Sequence, residues 1–164
     1  MSTPQFKELR RSYGFDEVAL VPGEVTVNPD QTNISLHIGN LTLALPILAA
    51  AMDGVVDTRF AIALGKLGGL AVLNLEGVQA RYDNPDEMLA QIAAAPAAEV
   101  TKLLQKVYSE PIKEKLVAER IKAIKREKVA CAVSVTPANT KRFAPVVAEA
   151  GADALVVQST VTTA

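Results

Sequence analysis

The sequence predicts an α/β fold whose parallel strands are buried on both faces, with helices in the connections between them. Four short apolar runs carry this prediction, at residues 47–51, 70–75, 129–135 and 154–159. Helix-forming sequence follows each of the first three runs. Strands whose apolar residues run continuously, without polar alternation, are typical of parallel sheets that are buried on both faces.

Helical segments separate these strands. The pattern predicts helices at residues 58–67, 86–94, 99–108, 112–124 and 140–150. Asp57 is the expected N-cap of the first helix, and Gly68 and Gly151 are expected to end the first and last helices. The segment between the second and third strands is longer than an ordinary crossover, so we expect a helical insert at about residues 83–128.

The N-terminal part of the chain has a different pattern. Its short apolar stretches are interrupted by Pro22-Gly23, by Asn28-Pro29-Asp30 and by Gly39-Asn40, which are typical of turns and hairpins. We therefore expect residues 1–45 to form an extension with short hairpins. The main fold should then occupy residues 46–164.

The composition argues against several classes of function. The 17 basic and 18 acidic residues give a net charge of -1, too balanced to attract nucleic acid or anionic lipid. The longest apolar run, residues 43–52, is too short to cross a bilayer, and the start of the chain lacks a secretion signal. Cys131 and His37 are the single cysteine and histidine, too few for a Cys/His metal site. We expect a cytoplasmic protein that binds neither nucleic acid nor membrane and holds no metal.

The predicted fold indicates where chemistry would occur. Residues 65–69 have neither the dinucleotide-binding nor the P-loop spacing of glycines, so neither phosphate-binding motif is supported. In parallel α/β folds, ligands bind at the carboxyl ends of the strands. The loops that matter are therefore Met52-Asp53-Gly54, Asn74-Leu75-Glu76-Gly77, Thr136-Pro137-Ala138 and Gln158-Ser159-Thr160.

Three collinear segments resemble IMP dehydrogenases. Residues 13–23, which read YGFDEVALVPG, are similar to the opening of that family, Y-x-F-D-D-V-L-L-V-P. Residues 46–55, PILAAAMDGV, are similar to its P-I-[IV]-S-[AS]-[AP]-M-D-T-V segment, and residues 61–72 keep the spacing of its A-I-A and G-G-I-G-V-I segments. By this resemblance the chain is identified as a member of the IMP dehydrogenase and GMP reductase family, covering the N-terminal half.

The resemblance implies a fold and an activity. The fold would be a (β/α)8 TIM barrel, of which this chain supplies four parallel strands with their helices, after the short hairpin segment. The complete barrel would oxidise IMP to XMP in guanine nucleotide biosynthesis: a cysteine attacks C2 of the purine, hydride passes to NAD, and water hydrolyses the covalent intermediate. That cysteine belongs to the second half of the barrel, so we expect no catalytic residue in this chain. The complete protein would be a homotetramer.

The resemblance also implies individual binding residues. Ala50 and Met52 would contact the purine nucleotide, and Gln158, Ser159 and Thr160 would lie beside the cofactor. Met52 taken alone is equally suited to filling the mouth of the barrel. Gln158 stands where the dehydrogenases have an aspartate that accepts hydrogen bonds from the cofactor ribose; glutamine carries no charge, which leaves NAD and NADP both open. Asp53 is close enough to the first helix for a capping role and is not counted among the site residues.

Two departures from the family pattern leave other functions open. The segment Asn74-Leu75-Glu76-Gly77 replaces one that usually contains histidine or asparagine, and the insert is too short for the family's regulatory CBS modules. The chain therefore resembles the IMP dehydrogenase-related subfamily that lacks these modules, as GMP reductases do. The alternatives are an NADPH-dependent GMP reductase and a non-catalytic nucleotide-binding relative. Cys131 lies in an apolar run, where a thiol acts as a small hydrophobic side chain rather than as the nucleophile.

Overall fold

The parallel strands lie side by side in the order in which they occur along the chain. The structure, a computed structural model, describes residues 10–159. Its strands are β1 (Leu36–Ile38), β2 (Leu41–Leu43), β3 (Leu48–Ala49), β4 (Leu70–Asn74), β5 (Ala132–Val135) and β6 (Ala154–Val157). β1 and β2 form an antiparallel hairpin, while β3, β4, β5 and β6 form a parallel sheet in that order. Parallel neighbours in chain order are the strand arrangement of a (β/α)8 barrel.

Helices connect the parallel strands. Within residues 10–159 the α-helices are α1 (Thr58–Lys66), α2 (Pro85–Ala94), α3 (Ala97–Ser109), α4 (Glu114–Arg126) and α5 (Pro137–Ala150). α1 connects β3 to β4, the next three helices connect β4 to β5, and α5 connects β5 to β6. This alternation confirms the predicted α/β class. None of these helices is both long and apolar enough to cross a membrane.

The hydrophobic core lies between the sheet and helices α1, α4 and α5. Leu73 of β4, Val133 of β5, Ile121 of α4 and Phe143 of α5 are all 0% exposed and belong to one cluster. Burying a side chain of this size stabilises a fold by about 1.5–3 kcal/mol. Because α4 packs against both α1 and α5, it has the position of the regular crossover helix between β4 and β5.

The helix ends follow local chemistry. The side chain of Asp57 accepts a hydrogen bond from the backbone N–H of Phe60 at 2.6 Å, which confirms Asp57 as the N-cap of α1. Gly68, just after α1, has a φ of 91°, in the left-handed region that favours glycine. α5 begins at Pro137, before the predicted start at residue 140, because proline fits the first turn of a helix, where its missing N–H is not needed.

α2 and α3 form an additional helical hairpin within the connection between β4 and β5. Neither helix contributes much to the core, since Val107 of α3 is the single fully buried residue of the two. The hairpin is tied to the rest of the chain by a few side chains. One of them is Tyr82, whose hydroxyl donates a hydrogen bond to the carbonyl of Val107 at 2.9 Å.

Residues 10–33 belong to a compact unit separate from residues 34–159. They contain two single-turn 3-10 helices, Phe15–Glu17 and Pro29–Gln31. The carboxylate of Glu17 accepts a hydrogen bond from the backbone N–H of Gly14 at 2.8 Å, which stabilises the first of these turns. This unit has a loop-like structure held by local hydrogen bonds.

The parallel sheet has open edges within the described residues. β3 pairs with β4 alone, and β6 pairs with β5 alone. Apolar side chains of these two strands are accessible, with Leu48 48% exposed and Val157 51% exposed. Unpaired strand edges next to accessible apolar side chains promote association with other strands.

We expect the 164-residue chain by itself to self-associate and to bind a hydrophobic dye, because the edges of its sheet are unpaired. The full-length protein, in which further strands would close the barrel, should stay monodisperse and bind little dye. Light scattering and dye fluorescence on both proteins would test this. A monodisperse monomer of the 164-residue chain that melts cooperatively and binds no dye would contradict the expectation.

Candidate active site

Two neighbouring cavities open at the carboxyl ends of the parallel strands. The polar cavity has a volume of about 430 Å³ and is lined by Ala51, Asn74, Glu76, Arg81, Tyr108, Ser134, Val135, Thr136, Gln158 and Ser159. The apolar cavity has a volume of about 480 Å³ and is lined by Leu48, Ala49, Ala50, Ala51, Val72, Val156, Val157, Gln158 and Ser159. Ala51, Gln158 and Ser159 line both cavities, so the two cavities adjoin at the carboxyl ends of the strands.

Asp53 joins three parts of the chain next to the polar cavity. Its carboxylate accepts hydrogen bonds from Asn74 Nδ2 at 3.2 Å, from the backbone N–H of Val78 at 2.9 Å and from the hydroxyl of Tyr108 at 2.6 Å. These bonds connect the loop after β3 to the loop after β4 and to α3. Burial, together with the hydrogen bond to Asp53, raises the pKa of the Tyr108 hydroxyl, which keeps it protonated as a donor. Asp53 thus links loops, and the capping of α1 is left to Asp57.

Gly77 allows the loop after β4 to approach Asp53. A Cβ atom added at Gly77 would lie 1.7 Å from Asp53 Oδ1, far inside any permitted contact. The next residue, Val78, donates its backbone N–H to the same carboxylate. Any side chain at position 77 would therefore have to displace the Asp53 carboxylate from this position.

Glu76 connects the loop after β4 to the start of α5. Its Oε1 accepts hydrogen bonds from the backbone N–H of Thr136 at 2.8 Å, from the Thr136 hydroxyl at 2.7 Å and from Asn139 Nδ2 at 2.9 Å. Partial burial by itself would raise the pKa of Glu76. The hydrogen bonds from Thr136 and Asn139, and the nearby charge of Arg81, outweigh burial and hold the pKa of Glu76 below its usual value. Glu76 is therefore ionised at neutral pH.

Arg81 brings a positive charge to the polar cavity. Its Nε donates a hydrogen bond to the carbonyl of Glu76 at 2.9 Å, and its Nη1 donates to the carbonyl of Glu110. The guanidinium also lies 5.9 Å from the centroid of the Tyr108 ring, within range of a cation–π interaction. Within residues 10–159 these hydrogen bonds go to backbone carbonyls and orient the guanidinium, whose charge lies near the ionised carboxylate of Glu76.

The binding residues predicted from the sequence that the structure describes lie near the carboxyl ends of the parallel strands. Ala50 lines the apolar cavity, while Gln158 and Ser159 line both cavities. Met52 is 59% exposed and its backbone N–H donates to the carbonyl of Ala50 at 2.8 Å. Thr160 lies outside the described residues. The roles of these residues in binding nucleotide and cofactor stay predictions.

Sequence reasoning did not find several side chains of the site. Tyr108 and Arg81 carried no recognisable motif, and Glu76 was singled out without a role. The position of Glu76 after a strand of a parallel sheet was the available signal, because the carboxyl ends of such strands meet at one edge. Tyr108 reaches the same edge from the end of an insert helix, which a local pattern does not reveal.

Cys131 is part of the core. Its side chain is 1% exposed, and burial, assisted by the nearby charge of Asp153, raises the pKa of the thiol to about 12. The thiol is therefore protonated at neutral pH and poorly nucleophilic, as the sequence predicted. Within the part of the chain that the structure describes, no group of three or more histidine, cysteine, aspartate or glutamate side chains could hold a metal ion.

Known proteins are similar to this chain in sequence. Residues 12–163 match the family described as IMP dehydrogenase / GMP reductase domain. An uncharacterized oxidoreductase of Mycobacterium bovis is 33% identical over 160 residues, which covers 94% of this chain and 43% of that protein. An inosine-5'-monophosphate dehydrogenase of Methanocaldococcus jannaschii is 38% identical over 92 residues, covering 56% of this chain and 17% of that protein.

A solved structure extends the similarity to three dimensions. An IMP dehydrogenase/GMP reductase-like protein from Corynebacterium glutamicum has a TM-score of 0.83 to this chain at 33% identity. The match covers 96% of this chain and 43% of that one. The chain thus spans less than half of the length of these relatives, and the predicted partial TIM barrel is confirmed.

Tyr108→Phe should destabilise the full-length protein by about 1.5 kcal/mol, the lower end of the range for a hydrogen bond to a charged group, because Tyr108 is partly exposed. Tyr82→Phe is the matched control, since it removes a hydroxyl that donates to a neutral carbonyl. Its effect should be smaller, about 0.5–1 kcal/mol, in the lower part of the range for a hydrogen bond between neutral groups. Denaturant unfolding of both variants measures the difference. Equal losses would mean that the bond to Asp53 has no special importance.

Gly77→Ala should destabilise the protein by about 3 kcal/mol, because the added methyl group displaces the Asp53 carboxylate and breaks its hydrogen bonds. Gly54→Ala, in the same region, is the control: a Cβ atom at Gly54 meets nothing within 4 Å. Its effect should stay within about 0.5 kcal/mol. Thermal unfolding followed by circular dichroism compares the two variants, and a tolerated Gly77→Ala would show that the two loops can separate freely.

Proposed function

Because the chain belongs to the IMP dehydrogenase / GMP reductase family, we propose that the complete protein oxidises IMP to XMP with NAD as the hydride acceptor. The described residues form part of the barrel and of its strand-end cavities. The nucleophilic cysteine implied by the family resemblance belongs to the other half of the barrel. The role of this half is therefore to bind and orient the two reactants.

The observation that carries the proposal is the pair of adjoining cavities. Hydride transfer between a purine nucleotide and a nicotinamide dinucleotide requires the two rings to lie against each other. Two cavities that share Ala51, Gln158 and Ser159 provide neighbouring places for two ligands. The apolar cavity, with Ala50 in its wall, suits a flat purine ring, and Met52 follows Ala50 two residues along the chain.

The polar cavity suits the cofactor. Its lining residues include Thr136, Gln158, Glu76 and Arg81. The hydroxyl, amide, carboxylate and guanidinium of these residue types match the hydroxyl and phosphate groups of a dinucleotide. We assign Gln158, Ser159 and Thr160 to the cofactor. When bound, NAD supplies the acceptor for the hydride.

A second candidate is the reduction of GMP with NADPH. The connection between β4 and β5 favours it, because that connection contains the α2–α3 hairpin where most IMP dehydrogenases have a much longer regulatory segment. A third is a relative that binds nucleotides without turnover, suggested by Gln158 and by the segment around Asn74. For the complete protein we also propose a cytoplasmic location and a homotetrameric assembly, on the basis of the family resemblance.

Incubation of the full-length protein with IMP and NAD should produce XMP and absorbance at the wavelength of NADH. Incubation with GMP and NADPH is the parallel reaction, and neither the protein with IMP alone nor the protein with NAD alone should give product. Chromatography of the nucleotides identifies the product. Turnover of GMP but not of IMP would replace the first proposal by the second, and binding without turnover in either reaction would favour the non-catalytic relative.

A further inference from the structure

The carboxylate of Glu76 has one oxygen held by the protein and one that accepts no hydrogen bond from residues 10–159. All three side-chain hydrogen bonds that Glu76 accepts within residues 10–159 go to Oε1, from Thr136 and Asn139. Glu76 is one of the residues that line the polar cavity. Oε2 is thus an acceptor without a hydrogen-bond donor from the described residues, and the bonds on Oε1 fix its orientation.

The charge of Glu76 restricts what can bind there. An ionised carboxylate offers acceptors and no donor, so the ligand atom that contacts Oε2 must carry a proton. Hydroxyl groups fulfil this requirement, and two adjacent hydroxyl groups can share one carboxylate. The Gln158 amide lines the same cavity and offers both a donor and an acceptor. A ribose diol is the nucleotide component that matches this combination.

Arg81 adds a second requirement. Its Nε and Nη1 are directed at backbone carbonyls, while the positive charge of the guanidinium stays in the cavity wall. A ligand with both hydroxyl and phosphate groups can therefore place its hydroxyl groups against Glu76 and its phosphate oxygens against Arg81. Ribose joined to phosphate has both, whereas a free base or a neutral sugar lacks the charge.

We propose that Glu76 binds the ribose hydroxyls of the dinucleotide cofactor through Oε2, with Gln158 on the same ribose and Arg81 facing the cofactor phosphates. This inference rests on the proposed function, which places the cofactor at Gln158. It assigns the charged ribose contact to the loop after β4 instead of the end of β6. Gln158 can then be neutral without the cofactor losing a carboxylate partner.

The central experiment is Glu76→Gln in the full-length protein. The glutamine side-chain oxygen can still accept the hydrogen bonds from Thr136 and Asn139, so the variant changes the charge and the acceptor at Oε2 while it preserves the loop contacts. The Michaelis constant for NAD should rise about tenfold, because a charge-assisted hydrogen bond is lost. The Michaelis constant for IMP and the turnover number should change less than about twofold.

Moving the negative charge from position 76 to position 158 tests whether NAD binding can be rescued. If both side chains contact one ribose, the double variant Glu76→Gln with Gln158→Glu should recover most of the lost affinity for NAD. If Gln158 is only the end of a strand, the second substitution should give no recovery. An unchanged Michaelis constant for NAD in Glu76→Gln, or no recovery in the double variant, would overturn the inference.

Two controls separate ligand binding from loop structure. Glu114→Gln makes the same chemical change at an exposed ion pair with Arg142, on the outer helices, and should leave NAD kinetics unchanged. Asn139→Ala removes one donor to Glu76 Oε1 but keeps the carboxylate and both hydrogen bonds from Thr136, so it should lower the melting temperature and raise the Michaelis constant for NAD clearly less than Glu76→Gln does. If Asn139→Ala weakens NAD as much as Glu76→Gln, Glu76 acts only by holding the loops.

A binding measurement distinguishes failure of this inference from failure of the proposed function. Calorimetry with NAD, NADP and ADP-ribose on wild-type protein and on Glu76→Gln needs no turnover. If IMP is not oxidised but the wild type binds a dinucleotide about tenfold more tightly than the variant, the ribose contact holds and the proposed reaction is wrong. If the two proteins bind equally, or if the wild type binds none of the three ligands, the ribose contact is wrong.

Discussion

The hydrogen bonds of the Asp53 carboxylate hold the mouth of this half-barrel together. One side chain accepts donors from the loop after β4 and from α3, while its own backbone belongs to the loop after β3. The contact is possible because Gly77 leaves room for the carboxylate. The walls of the polar cavity at Asn74 and Tyr108 depend on this arrangement. A residue at position 53 without a side-chain acceptor would leave the three segments without a common hydrogen-bond partner.

A second carboxylate, that of Glu76, links further segments at the carboxyl ends of the strands. Glu76 connects the loop after β4 to Thr136 and Asn139 at the start of α5. Neighbouring strand ends are thus fixed by buried or half-buried acceptors rather than by apolar contacts alone. Polar groups held in this way keep their positions before a ligand arrives, which reduces the entropy lost on binding.

The helical hairpin of α2 and α3 contacts the candidate site although few of its residues are buried. It contributes little to the core, yet its last turn brings Tyr108 to Asp53. Arg81, just before the hairpin, reaches the carbonyls of Glu76 and Glu110 and so spans the hairpin at its base. A displacement of the hairpin would move the loop that contains Met52, because the next residue, Asp53, is hydrogen-bonded to Tyr108.

The sequence by itself determined the α/β class and the cap at Asp57, and it predicted the carboxyl ends of the strands as the place of the candidate site. These features depend on the spacing of apolar residues and on interactions between residues close in the chain, which a local pattern records. Only the tertiary structure decided which partner each loop carboxylate has. Asp53 and Tyr108 are 55 residues apart, and Glu76 and Thr136 are 60 apart. Contacts of that separation depend on how strands and helices pack, and no local periodicity encodes them.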